Sequence, residues 1–202
     1  MKEDVLEQIM EDYLSKKGFF TKHNIKYLPN NKEGNNSNKY TNHSDIDILA
    51  FYPQQEKGKE KKVIAVSCKS WQTGVKLDKI VDKPNDVTVQ KQFRELVCPE
   101  WIKAFADKIY ELTGTKEFTY YLAITRVSDI SKTEVWKDKF KEYFEENFKK
   151  ILNVEIKVEI ITFDKIFRDY WGEVNKKTLE STEIGRLIQL MKACKLDFSK
   201  QK

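Results

Sequence analysis

Apolar positions recur at helical spacing at the start of the chain, where Val5, Leu6, Ile9, Met10, Tyr13 and Leu14 line one face and Lys16-Lys17 precede Gly18. This pattern predicts an amphipathic helix over about residues 3–17, stopped by the glycine. Phe19 to Leu28 reads as a strand ended by Pro29, and Asn30 to His43, crowded with Asn, Ser, Gly and Lys, reads as a mobile loop. The run Asp45-Ile46-Asp47-Ile48-Leu49-Ala50-Phe51-Tyr52 is rich in strand formers and ends at Pro53; Lys57 to Lys62 is a charged turn. Val63-Ile64-Ala65-Val66-Ser67-Cys68-Lys69 is apolar almost to its end, which predicts the second arm of a hairpin, covered on both faces.

After a polar stretch with Gly74 and Pro84, Val87, Val89, Phe93, Leu96 and Val97 fall at broadly helical intervals, and a second helical piece runs from Pro99 to Leu112. Phe118 to Thr125 reads as a strand, Thr133 to Lys150 as a helix with Trp136, Phe140, Phe144 and Phe148 on one buried face, and Val154 to Thr162 as another strand. Helices over Asp164 to Tyr170 and Ser181 to Ala193 close the chain. The order is helix, three strands, helix, strand, helix, strand, with no internal repeat and no linker; it predicts one α/β domain over residues 1–202, a mixed central sheet flanked by helices.

Composition narrows the chemistry. Of the 202 residues 40% are hydrophobic and 34% charged, no apolar run is long enough to span a bilayer, and Met1-Lys2-Glu3-Asp4 lacks the pattern of a secretion signal, so a soluble cytoplasmic protein without a membrane partner is expected. Three cysteines, Cys68, Cys98 and Cys194, match neither a disulfide framework nor a zinc knuckle. Two histidines, His23 and His43, without HExxH spacing make a histidine-based zinc hydrolase hard to build, so a catalytic metal would be held by oxygen. The net charge of +5 favours polyanionic partners, but 37 basic against 32 acidic residues is too mild an excess to establish nucleic-acid binding.

Alternation along a strand puts Asp45, Asp47 and Leu49 on one face and Ile46, Ile48 and Ala50 on the other, and likewise joins Ser67 to Lys69. Aspartate is disfavoured in strands, so the pair either meets solvent at the strand entrance or binds something. In an antiparallel hairpin directly opposed side chains lie about 5 Å apart, and the register decides whether Asp47 and Lys69 act on one group. A carboxylate holding Mg2+ beside an ammonium that stabilises charge on phosphorus is an arrangement for phosphodiester hydrolysis. The plainer alternatives are that Lys69 extends to water and that Glu7 complements the helix dipole.

Glu7 on the first helix, then Ser44-Asp45-Ile46-Asp47-Ile48-Leu49-Ala50, then Ile64-Ala65-Val66-Ser67-Cys68-Lys69-Ser70-Trp71, resembles the PD-(D/E)XK nuclease superfamily, which includes many restriction enzymes and Holliday-junction resolvases. The resemblance covers about residues 3–125, leaving about 126–202 as a C-terminal elaboration with one extra strand and helices. It implies a restriction-endonuclease-like αβββαβ core and a Mg2+- or Mn2+-dependent endonuclease acting on DNA. By that resemblance Asp47 binds metal, Lys69 is the catalytic lysine, Glu7 turns toward the site, Asp45 falls where many relatives carry a second acid, and the Cys68 backbone carbonyl completes the shell. Ser67 departs from the pattern, standing where the family has Glu or Asp, and a hydroxyl is a far weaker Mg2+ ligand. The rival expectation is therefore a catalytically inactive nuclease-fold module that binds nucleic acid or a protein partner; a third is an oligomer-forming structural protein with a chance motif. Ser67, Trp71, Gln90, Lys91 and Arg94, with Gln92, are candidate nucleic-acid contacts, although Trp71 also suits core packing and the others a solvated helix face. Many enzymes of this fold pair to cut both strands, so a homodimer is a further expectation.

Overall fold

The N-terminal helix begins where a cap is available. Asp4 lies in extended backbone and its side chain accepts the Leu6 N–H at 2.8 Å, satisfying one donor left open at a helix start. Helix α1 (Val5–Lys16) buries Leu6, Met10, Tyr13 and Leu14. Gly18 then takes a φ of +85°, which glycine adopts without strain. The computed structural model describes residues 4–29, 42–52, 62–128, 133–174 and 180–196. The loop expected at 30–43 and the turn expected at 57–62 lie outside the described residues for all but their last one or two positions.

Among the described residues five strands form one mixed sheet in the order of the chain: β1 (Phe20–Tyr27), β2 (Ser44–Phe51), β3 (Val63–Lys69), β4 (Thr119–Ile124) and β5 (Lys157–Thr162). The first three pair antiparallel, whereas β3, β4 and β5 run parallel and are joined by helical crossovers. β3 is buried from Val63 through Cys68, as its unbroken apolar run requires of a central strand.

Helices α2 (Leu77–Asp82), α3 (Val87–Gln92), α4 (Arg94–Val97), α5 (Pro99–Thr113) and α6 (Thr133–Leu152) supply apolar residues to one face of the sheet, where Phe93, Ile102, Phe105, Phe140, Phe144 and Phe148 pack with Leu49, Ala65, Tyr120 and Leu122. Helices α1, α7 (Phe163–Glu173) and α8 (Glu183–Ala193) supply the other, where Leu6, Met10, Ile166, Tyr170 and Ile188 pack with Ile48, Ala50, Val66 and Ile161. Helices thus cover both faces of the sheet. The aromatic stripe of α6 is core at Phe140, Phe144 and Phe148, while Trp136 is only half-buried.

Three local expectations need correction. The stretch before Pro84 is not merely polar: Leu77 and Ile80 anchor α2. The apolar series from Val87 to Val97 is not one helix, because Phe93 leaves helical geometry with φ −134° and separates α3 from α4. Finally, β2 does not alternate strictly. Ile46 packs with Leu49 on one face and Ile48 with Ala50 on the other, so the period is broken at Asp47. Among the described residues no helix is long and apolar enough to cross a membrane.

Candidate functional site

The break at Asp47 is a feature of the sheet itself. On one side the β1–β2 register runs His23↔Ile48 and then Ile25↔Ile46, leaving Asn24 and Asp47 unpaired, and Asn24 takes a φ of +50°, the left-handed region that Asn tolerates. On the other side the β2–β3 ladder ends at Ile48↔Val66. Beyond that pair Asp47 Oδ2 accepts the Cys68 N–H at 2.6 Å, a charge-assisted bond standing in for the next backbone rung. Extending the register by one residue puts Ser67, rather than Lys69, opposite Asp47. The carboxylate and the ammonium are therefore diagonal neighbours, not directly opposed side chains.

Their electrostatic coupling is nonetheless direct. Burial pushes Asp47 from 3.8 up to about 6, and the charge of Lys69 is the first influence that opposes the rise, ahead of the Cys68 N–H. Lys69 closes β3 with its Nζ 3.0 Å from Ser67 Oγ, donating to it, and 5.9 Å from the centre of the Phe93 ring.

Glu7 approaches from the first turn of α1. Its value is pushed from 4.5 up to about 7, chiefly by burial, then by the charges of Asp47 and Asp4, with His23 and Lys69 pulling it down. Glu7, Asp47 and Lys69 therefore share one electrostatic field at the carboxyl end of β3. Asp4 belongs to the same neighbourhood: besides capping α1 it accepts a hydrogen bond from the Ser70 hydroxyl. Asp45 is different. It is exposed, lies across from Lys26 on β1, and is the last-ranked influence on Asp47. Cys68 gives its amide to Asp47, while its thiol is buried under α1 and held well above its ordinary value by burial and the neighbouring carboxylates.

Ser67 brings in residues that the sequence motif does not mark. It is buried, and on the same face Tyr120 of β4 is fully buried. The Tyr120 hydroxyl donates to Glu95 Oε1 at 3.0 Å; the Ser67 hydroxyl, diagonal to it across the β3–β4 pair, favours its charged form, while burial and Glu95 oppose it. Glu95, on α4, is 5% exposed and forms no ion pair with any described residue, and its charge pushes Asp47 upward. The Tyr27 hydroxyl is buried nearby, its value raised by burial and then by Glu95. An acid inside the Phe93-Arg94-Glu95-Leu96-Val97 segment is the only sequence signal for Glu95.

The candidate nucleic-acid contacts divide. Trp71 packs edge-on against Phe93 with ring centres 5.7 Å apart, and the Arg94 guanidinium lies 4.5 Å from the centre of the Trp101 ring. Lys91 and Gln92 are exposed and Gln90 half-buried on α3. A cleft of about 1250 Å³ lies at the opposite end of the sheet, between the starts of β3, β4 and β5 and the end of α6, and a smaller one of about 430 Å³ beside Tyr27 and His43; neither contains Glu7, Asp47 or Lys69. The acidic site lies at the carboxyl end of β3, away from both clefts. Among the described residues no group of three or more His, Cys, Asp or Glu side chains is disposed to hold a metal ion; Asp47 and Glu7 form a pair. No protein-family model matches this chain, and comparison with curated proteins and with solved structures finds no match either.

Proposed function

We propose that the chain is a metal-dependent nuclease that hydrolyses phosphodiester bonds, in DNA by the PD-(D/E)XK resemblance, on a restriction-endonuclease-like core. The observation that carries this reading is the shared field of Glu7, Asp47 and Lys69, with both carboxylates pushed upward by burial and Glu7 further by Asp47. Two crowded carboxylates are short of positive charge, and Mg2+ is commonly held by one or two carboxylates with water and substrate phosphate completing its shell. The pair therefore suits Mg2+ or Mn2+ without a third side chain. Asp47 and Glu7 would hold the ion, with the Cys68 carbonyl available on the adjoining strand and Asp45 at the exposed rim. Bound there, a divalent ion supplies Lewis acidity and a more acidic water. Lys69 supplies an ammonium for charge that builds on phosphate oxygens, and its half-buried position strengthens that interaction. The order α1, three antiparallel strands, helices and a parallel β4 agrees with the core that the resemblance implies.

A second reading, an inactive module of the same fold that binds nucleic acid or a protein, is favoured by Ser67 in the place of the family's acid. Calorimetry with Mn2+ separates the two, together with cleavage assays on DNA and RNA for the wild type, Asp47→Ala and Lys69→Ala. The nuclease reading expects metal binding that Asp47→Ala abolishes and cleavage that both substitutions remove. Salt-sensitive nucleic-acid binding without metal heat or cleavage would establish the inactive module instead.

A further inference from the structure

Two groups in this site are held by hydroxyls rather than by an ion pair. The Glu95 carboxylate is buried, yet among the described residues no cation lies within ion-pair distance, and the Lys69 ammonium likewise forms no ion pair with them. A buried carboxyl group left without a hydrogen-bond partner is costly, and Glu95 finds its partner in a hydroxyl rather than in a cation. Between them lie two buried hydroxyls. Lys69 Nζ donates to Ser67 Oγ at 3.0 Å, Tyr120 donates to Glu95 Oε1 at 3.0 Å, and Ser67 and Tyr120 are buried diagonal neighbours on one face of the β3–β4 pair. A Ser67 hydroxyl turned toward the Tyr120 oxygen joins these two bonds into one chain from ammonium to carboxyl group, the sense in which hydrogen bonds reinforce one another.

We infer that Glu95 is a positioning residue for Lys69, acting through Tyr120 and Ser67, so that the serine at the place of the expected acid is the last link of a buried hydroxyl relay. The inference rests on the reading of Lys69 as the site's working ammonium. Its physical content is separate. Ser67 sits in the central strand and Tyr120 beside it in β4, both rigid elements, so the relay fixes the ammonium from the sheet side and leaves its remaining N–H groups for a phosphate. A glutamate in place of Ser67 would pair with Lys69 directly and bring a second carboxylate against Glu95. With serine, the negative charge is held one layer away, on α4.

The test is the Lys69 ammonium itself, read by 15N spectroscopy of lysine Nζ in the full chain, without metal or nucleic acid. Its resonance is assigned by its loss in Lys69→Arg. The wild type is expected to show a slowly exchanging Lys69 ammonium, and Glu95→Gln, Tyr120→Phe and Ser67→Ala each to speed its proton exchange by about tenfold, the size of one charge-assisted hydrogen bond. Ser67→Thr, which keeps the hydroxyl, restores slow exchange. Lys16, paired with Glu180 at 2.7 Å, is the internal control and stays unchanged, which separates loss of the relay from general loosening. A Lys69 resonance unaltered by Glu95→Gln and Tyr120→Phe, or altered together with that of Lys16, overturns the inference. Metal-dependent cleavage with an insensitive Lys69 sinks the relay alone; an intact relay in a protein that neither binds metal nor cleaves sinks the nuclease reading alone.

Discussion

Asp47→Asn tests whether the site carries electrostatic strain. A native value of about 6 against 3.8 for the unfolded chain corresponds to about 3 kcal/mol of destabilisation once both states are ionised. Asp47 retains partial exposure, and screening reduces this to about 2 kcal/mol. The sign follows from the protons. Between about pH 4 and pH 6 the native state holds the Asp47 proton that the unfolded chain has released, so stability falls as pH rises through that window and stays reduced above it. Asparagine cannot ionise, but its side-chain oxygen can still accept the Cys68 N–H. Asp47→Asn is therefore expected to stabilise the protein by about 2 kcal/mol near pH 8, or about 4–8 °C in Tm for a chain of this size, and by almost nothing near pH 4. Glu7 adds to the effect in the same direction, since Asp47 is one of the charges that raise it. Urea unfolding followed by tryptophan fluorescence at the two pH values is the assay, and Mn2+ added at the higher pH should narrow the gap by stabilising the wild type alone. A variant less stable than wild type near pH 8, or equally stabilised at both pH values, would refute the claim that the carboxylate is held at a cost.

Tyr120→Phe removes the donor to a buried carboxylate and should lower stability by about 1–3 kcal/mol in urea unfolding with an unchanged m value. Gly74 has a φ of +82°, and a Cβ there would come within 2.9 Å of the Arg126 carbonyl oxygen, whereas Gly114, with φ +72°, faces open space. Gly114→Ala is expected to cost about 1 kcal/mol and Gly74→Ala more than about 2, a ranking read from their Tm values. Phe144→Ala empties a fully buried site and should cost about 3–5 kcal/mol, while Val135→Ala on the exposed side of the same helix stays within about 0.5, by calorimetric melting.

The strands are legible in the sequence wherever burial is the only force shaping the pattern. β3 reads as central because its apolar run leaves no polar face, and it is covered on both sides. The paired arms and the phenylalanine stripe of α6 follow from the same rule. Legibility fails where backbone geometry overrides periodicity. Spacing of 89, 93, 96 and 97 fits one helix as well as two, and only the turn at Phe93 decides between them. Alternation along β2 assumes a regular neighbour, and the left-handed Asn24 opposite Asp47 removes it.

The candidate site divides along the same line. Asp47 and Lys69 stand out because an aspartate inside a strand and a lysine ending a buried one are costly choices, visible without coordinates. Glu95 does not stand out, because a glutamate in a four-residue helix resembles any solvated position. Its burial depends on the break at Phe93. Ser67 carries opposite meanings in the two views. Read along the strand it is an acid lost, and with the acid the expected affinity for metal. Read across the layers, with Tyr120 behind it and Glu95 beyond, the carboxylate stands on another element and reaches Lys69 through two hydroxyls. A linear motif records which residue occupies a position; the electrostatics of a site depend on which charges converge on it. In this fold convergence is set by a kink between two short helices and by the gap in β1–β2 pairing at Asn24 and Asp47.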